Sequence, residues 1–257
     1  MKQKIDLNCD LGESYGAFKV GNDEKIMPCI TSANVACGLH AGDPTTISKT
    51  IALAKKHGVA VGAHPSYPDI LGFGRREVQM TPEEVRNYTL YQVSALQGFA
   101  QTASLRLQHV KPHGALYNVA TERKDVAKPI VEAIKALDSR LIVFAPQGSA
   151  LASEAGKASM KVAHEFFADR AYNPDGTLVS RNQRNAIIET PLEVVKRAVK
   201  AVMDEIVLAC NGGIVKLGKV HTICVHGDNP AAVRLAVALR KGFVKAGIEV
   251  KPVASFL

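Results

Sequence analysis

Tryptophan is absent from this 257-residue chain, and aromatic residues make up only 5% of it. Nucleic-acid sites that stack bases need such rings on a basic surface, whereas here Lys and Arg are scattered, with no basic run of five. The net charge of +8 therefore reads as a solvated basic face, or as attraction for an acidic small molecule or an acidic partner protein. No apolar run approaches a membrane span, and the N-terminus MKQKIDLNCD has no apolar signal core. Neither nucleic acid nor membrane is expected as a partner. The five cysteines (Cys9, Cys29, Cys37, Cys210, Cys224) are odd in number and lack CxxC spacing. They read as reduced thiols, and the protein as soluble and cytoplasmic. GxxxxGK[ST] and GxGxxG fingerprints are missing after every strand candidate, so nothing in the chain by itself identifies an ATP or NAD site. HExxH is missing too, and neither a zincin nor a serine-nucleophile mechanism is expected.

What the chain does contain is a repeated alternation of short apolar runs and longer amphipathic stretches, the pattern of a parallel sheet with crossover helices. The length and the 47% hydrophobic content suit one α/β barrel domain over residues 1–257, with no low-complexity linker. Seven strands are expected: Lys4 to Asn8, Ser32 to Ala36, Ala60 to Ala63, His109 to Lys111, Leu141 to Ala145, Lys161 to Ala163 and Thr222 to Val225. Glu249 to Val253 supplies a short eighth. Helices are expected from Asp43-Pro44 to Gly58, from the capping box at Thr81 to about Ala103, and over Lys124 to Leu137, Gly148 to Lys157, Pro191 to Cys210 and Pro230 to Ala246. The longest polar stretches, Pro65 to Met80 and Ala171 to Asn185, are candidates for functional loops.

Polar residues fall at, or just after, the carboxyl ends of these strands, which converge on one rim in a βα barrel. NCDLGE places Asp10 and Glu13 three residues apart, a pair that can hold a divalent cation or divide acid and base roles, or simply cap a helix. SANVACGLHAGDP sets Asn34 and His40 on a glycine-flanked turn. GAHPSYPD followed by GFGRR contributes His64, Ser66, Tyr67, Arg75 and Arg76, the arginines being suited to a carboxylate or phosphate. KPHGALYN puts Lys111 and His113 together with Tyr117 one turn later; a Lys among a His and buried acids can have a depressed pKa and act as base or oxyanion donor. In HEFFADRAYNPDGTLVSR, Glu165, Asp169, Arg170 and Arg181 surround two phenylalanines that wall a pocket, with Asp169 and Arg170 open to reading as a local ion pair. VHGDNP ends the last clear strand with His226 and Asp228, the latter also a candidate N-cap.

In this order and spacing, NCDLGE, ANVACGLHAGDP, GAHPSYPD with GFGRR, KPHGALYN, EFFADRAY and VHGD resemble the LamB/YcsF family over essentially the whole chain. The resemblance implies a distorted seven-stranded βα barrel of the glycoside hydrolase/deacetylase type. It implies work in an ATP-hydrolysing 5-oxoprolinase with partner subunits B and C, turning 5-oxo-L-proline, ATP and water into L-glutamate, ADP and phosphate. Metal-dependent deacetylases of that superfamily bind a divalent ion through one Asp and two His, and by position these are Asp10, His40 and His64. Leu11 stands where deacetylases often carry a second Asp.

Opening an unactivated lactam requires the carbonyl polarised, water delivered and the ring nitrogen protonated. Asp10 or Glu13 is expected to activate water, His64 or His113 to protonate nitrogen, and Lys111 and Arg75 to hold substrate carboxylate or phosphoryl oxygens. Asn34, His40, Ser66, Tyr117, Glu165, Asp169, Arg170, Arg181, His226 and Asp228 complete the expected substrate site. ATP is the expected co-substrate at a site shared with partners, with a divalent metal as a further option. Two alternatives remain open: a stand-alone metal-dependent amide or N-acetyl hydrolase, and a non-catalytic subunit that binds the lactam for its partners.

Overall fold

The computed structural model describes residues 2–257. Within them, β1 (Lys4–Leu11), β2 (Ser32–Ala36), β3 (Ala60–His64), β4 (Leu107–Val110), β5 (Ile142–Ala145), β6 (Val162–Phe167) and a later strand (Thr222–Val225, β9) are all parallel, each paired to the next. The last closes on the first through Asp6↔Thr222 to Cys9↔Val225, making a seven-stranded barrel. Ahead of β9, β7 (Ile206–Leu208) and β8 (Ile214–Lys216) form a separate antiparallel hairpin. A short β10 (Glu249–Val250) pairs with Lys4 and Ile5, upstream of where β2 begins. It extends the sheet without entering the closed ring.

The helices are α1 (Asp23–Ile26), α2 (Pro44–His57), α3 (Pro82–Thr102), α4 (Gly114–Glu122), α5 (Lys124–Leu137), α6 (Ala150–Lys157), α7 (Pro191–Met203) and α8 (Ala232–Lys245). Their starts follow local chemistry. Asp43 caps α2 by accepting from the Thr45 and Thr46 amides, ahead of Pro44. Thr81 and Glu84 form a full capping box at α3. Helix α3 then buries Val85, Thr89, Gln92, Val93, Leu96 and Ala100, a stripe at helical spacing that faces the barrel. None of the helices is long and apolar enough to cross a membrane.

Two differences from the expected elements matter. Helix α7 stops at Met203 rather than Cys210, because Ile206–Leu208 is taken into the hairpin. Strands β1 and β6 run three and four residues further than their sequences suggested, to Leu11 and Phe167. Asp10 and Glu165 thereby lie within strands rather than in the turns after them.

Alternation along β1 divides the interior in two. Ile5, Leu7, Cys9 and Leu11 join the apolar core shared with the helices, while Asp6, Asn8 and Asp10 bond to groups from other strands inside the ring. The barrel interior thus holds a chain of buried polar side chains, with Phe144 packed against it. Gly62 makes room for one of them: a Cβ there would lie 2.1 Å from the His109 ring, and that ring is stacked at 4.0 Å on Phe144. Gly62→Ala is expected to cost about 1–3 kcal/mol by overpacking, read as a lower urea midpoint with an unchanged slope.

Candidate active site

The carboxyl ends of the strands deliver one buried cluster. Lys111, just past β4, is its centre. Its ammonium lies 3.1 Å from Asp10 Oδ1, 3.0 Å from Glu165 Oε1, 3.3 Å from Asn8 Oδ1 and 2.9 Å from Cys224 Sγ. An ammonium has three hydrogens, so these four acceptors use all of them. Burial works against the charge, but Asp10, Cys224 and Glu165 outweigh it and hold Lys111 well above its usual range. The lowered pKa that the KPHG sequence suggested is therefore reversed. Lys111 is a fixed cation, not a base.

The two carboxylates of NCDLGE are driven apart. Burial raises Asp10, but the Lys111 ammonium prevails, and it is held well below the usual carboxylate range. Its Oδ1 also accepts from Asn34 Nδ2 at 2.8 Å. Glu13 has no such cation, and burial followed by the charges of Asp10 and Asp228 pushes it well above its usual range. With no cation bound, the site thus pushes the two in opposite directions, Asp10 toward the anion and Glu13 toward the neutral acid. Two carboxyl groups with separated pKa values are the usual basis for divided acid and base roles.

Three histidines surround Glu13. His40 Nε2 lies 3.4 Å and His113 Nδ1 3.6 Å from Glu13 Oε1, and the His40 and His113 rings stack at 3.9 Å. Backbone carbonyls fix two of the tautomers: His64 Nδ1 donates to Lys111 O at 2.7 Å, and His113 Nε2 donates to Phe73 O at 2.9 Å. As neutral rings, His64 Nε2 and His113 Nδ1 then direct lone pairs at each other across 2.9 Å. Both nitrogens of His40 and Glu13 Oε1 are buried without a hydrogen-bond partner. Four lone pairs converging on one point are what a proton or a divalent cation would relieve. Glu13, His40, His64 and His113 can hold a metal ion, as can Asp10, Cys224 and His226 beside them.

Around this centre Tyr117 donates to Glu165 Oε2 at 2.7 Å, and His226 Nδ1 donates to Asp169 at 2.9 Å while stacking on Phe167. The Pro65–Met80 loop roofs the site. Phe73, at φ +55°, sets its ring edge-on to His40 and His113; a bulky residue in that region stores about 1–3 kcal/mol. Gly74 follows at φ +64°, where a Cβ would meet Ser66 Oγ. At the mouth, half-exposed Arg75 pairs with Asp228 at 2.5 Å.

Asp10, Glu13, Asn34, His40, His64, Lys111, His113, Tyr117 and Glu165 thus meet in one network, with Asp169 and His226 against it, Ser66 under the roof, and Arg75 and Asp228 above. Arg170 and Arg181 stand at its edge: the Arg170 guanidinium donates to Val179 O and braces its own loop, and Arg181 acts on Asp169 through its charge without a hydrogen bond to it. Of the expected metal set, His40 and His64 converge with Glu13 and His113, whereas Asp10 is engaged by Lys111. Sequence reading missed Asp6, Asn8, His109, Thr222 and Cys224. Their signal is polar residues at period two within strands, as in Asp6, Asn8 and Asp10. Gly12 to Gly16 reads GESYG and does match G-x-S-x-G. Ser14 there is spent on Val20, its hydroxyl donating to the carbonyl and accepting from the amide, and no helix follows directly. Gly213 to Val220, GIVKLGKV, falls one residue short of a phosphate loop and folds as β8 and the turn into β9.

The chain is similar to known proteins over nearly its whole length. A Pyrococcus horikoshii protein whose name makes it one of the subunits of a 5-oxoprolinase is 53% identical over 254 residues, covering 99% of each chain. The structure of a lactam utilization protein from Thermus thermophilus superposes with a TM-score of 0.91 at 45% identity, over 97% of this chain and 99% of that one. A peptidoglycan N-acetylglucosamine deacetylase catalytic domain from Eubacterium rectale shares the fold alone, with a TM-score of 0.52 at 9% identity over 98% and 89%. The LamB/YcsF family model matches residues 5–257, and the chain belongs to the LamB/YcsF family.

Proposed function

We propose that the chain is the lactam-opening subunit of an ATP-dependent 5-oxoprolinase, taking 5-oxo-L-proline, ATP and water to L-glutamate, ADP and phosphate together with partner subunits. The observation that carries this reading is the buried set of Asp10 clamped by Lys111 beside Glu13, whose carboxyl burial pushes up, and three histidines, one of which, His40, has both ring nitrogens unpartnered. Asp10 Oδ2 has no protein donor among the described residues, so that oxygen takes the proton from the attacking water. The ring nitrogen is protonated by the Glu13 carboxyl through the His64–His113 contact: Glu13 Oε1 lies 3.6 Å from His113 Nδ1, and burial with the neighbouring His40 and His64 holds His113 well below its usual range, so a proton passed to it is readily given up. Arg75, released from Asp228, holds the substrate carboxylate or a phosphoryl oxygen.

In place of that proton, a divalent ion fits Glu13, His40, His64 and His113, whose ligand atoms converge and of which Glu13 Oε1 and both His40 nitrogens are otherwise unpartnered, and would supply Lewis-acid polarisation of the carbonyl. Titrating metal-stripped protein with Zn²⁺ by calorimetry is expected to show one site, weakened at least about tenfold in His40→Ala. Equal binding by both would place no ion there.

Partners B and C are supported by the mouth itself. Tyr15, Phe18, Ile70 and Leu71 are exposed, the last to 95%. Their two loops are joined through the turn after β2, by Gly16 N to Asp43 and Asp69 N to Leu39 O. This apolar ridge beside the His cluster is a surface for a partner to cover, and a partner carrying ATP would bring it to a chain without a phosphate loop. Mixing the chain with 5-oxoproline tests the whole reading. Glutamate is expected only with both ATP and partners present; glutamate without ATP would favour a stand-alone metal-dependent amide hydrolase.

A further inference from the structure

The polar filling of the barrel continues below the cluster to Asp6, which is fully buried and has no cation beside it. Its carboxylate accepts three hydroxyls: Thr222 at 2.5 Å on Oδ2, and Ser32 at 2.6 Å and Thr31 at 2.8 Å on Oδ1. A hydroxyl has one hydrogen. Each is spent on Asp6, so the three oxygens face the rest of the barrel as acceptors only.

Two arms carry that polarity to the active site. In the first, the Thr222 oxygen accepts from Asn8 Nδ2 at 2.7 Å, which turns Asn8 Oδ1 toward Lys111. The other hydrogen of Asn8 Nδ2 goes to Glu165 Oε1 at 3.0 Å. In the second, the Ser32 oxygen accepts from Gln108 Nε2 at 3.0 Å, and the same nitrogen donates to His109 Nδ1 at 3.2 Å. His109 must then carry its proton on Nε2, which donates to Asn34 Oδ1 at 2.7 Å. Asn34 Nδ2 is left to donate to Asn8 Oδ1 at 2.7 Å and Asp10 Oδ1 at 2.8 Å. The arms meet there. Each side-chain hydrogen along the two arms has one acceptor and all run in a consistent sense, so reversing one link reverses those above it.

We propose that Asp6 is a positioning residue: from the far end of the barrel it fixes the amide orientations of Asn8 and Asn34 and the tautomer of His109, and so sets the donors presented to Asp10 and Glu165. Its effect on turnover rests on the ring-opening reading above. Its effect on His109 does not.

Asp6→Asn is the isosteric test. The new amide nitrogen must donate to hydroxyls that previously donated to it. Thr31 can turn its hydrogen to Leu7 O, 3.2 Å away, so the nitrogen settles on the Thr31 and Ser32 side. Ser32 then donates upward, Gln108 turns over, and His109 moves its proton to Nδ1. Asn34 Oδ1 is brought against Asp10 Oδ1, acceptor to acceptor. Burial, Lys111 and His64 keep His109 neutral, with its pKa near 3, so the change is one of tautomer and not of charge.

Histidine-selective ¹⁵N labelling of the full chain reads this directly. The wild type is expected to show His109 protonated at Nε2, and Asp6→Asn at Nδ1. In the reconstituted complex kcat is expected to fall at least about tenfold with KM within about twofold, the split expected when orientation at the reacting centre is lost. A folded Asp6→Asn protein with unchanged His109 tautomer, or with the tautomer changed and kcat unaltered, overturns the proposal. If Asp6→Asn does not fold, Gln108→Met cuts the second arm with Asp6 intact; it is expected to release His109 into a mixture of tautomers, and a pure Nε2 form would contradict the network. Should the wild type itself release no glutamate, the ring-opening reading fails while the His109 result still decides the structural claim.

Discussion

Replacing Lys111 by Met is expected to abolish glutamate formation, by at least about a thousandfold, and to destabilise the fold by about 3–5 kcal/mol, the cost of removing one partner from a buried charge pair. Methionine fills much of the same space, so the loss is electrostatic: Asp10 and Glu165 keep their burial and lose the ammonium 3.1 and 3.0 Å away. The pH dependence gives the diagnosis. In the wild type the folded pKa of Asp10 lies below its unfolded value, so its contribution to stability is present above about pH 4 and lost as pH falls. Without Lys111, burial, the largest influence on Asp10, is no longer offset by the ammonium and raises it, so stability is present below about pH 4 and lost as pH rises. The gap in urea midpoint between wild type and variant should therefore narrow toward acidic pH. A gap that stays constant from pH 4 to pH 8 would show that Lys111 does not offset buried charge.

Asp10→Asn is the second large effect and is different in kind. The amide keeps the shape and can still accept from Lys111 and Asn34, so the fold should survive with a modest loss of stability. It cannot take a proton from water, and loss of a general base typically costs about 10²–10⁴ in rate. The expected result is a fall of that size in kcat with KM near the wild-type value. Glu13→Gln should differ in its pH profile, because Glu13 acts from its protonated state, or as a ligand when an ion is present. Wild-type turnover in Asp10→Asn would remove Asp10 from the chemistry.

Much of this site was legible in the sequence because barrel topology converts strand ends into one place. His64, Lys111 and His113 were found by position after an apolar run, and each lies in the cluster. Residues inside the ring were not. Asn8 and Thr222 sit within runs that read as apolar strands, and their role depends on facing each other across a closing seam 214 residues apart in sequence. The same closure explains why β1 and β6 continue past their apolar runs. Asp10 and Glu165 are tolerable within strands because Lys111 lies between them. Helix α4 has no start signal in the sequence, because it begins at Gly114, directly after KPH, with no side-chain cap. Its first turn instead leans on the roof loop, where Gly74 O accepts from Ala115 N. The β7–β8 hairpin has strands of only three residues, too short to show a period.

The most direct test of the central claim is isotope trapping. The purified chain is loaded with labelled 5-oxo-L-proline and then mixed in one step with partner subunits, ATP and a large excess of unlabelled 5-oxoproline. If the lactam is opened at the Asp10–Lys111 cluster, label already bound to this chain is expected to appear as glutamate, and loading with the Asp10→Asn chain should give almost none. Label diluted fully into the unlabelled pool, with glutamate still produced by the assembled complex, would place the lactam on one of the partners and contradict the account.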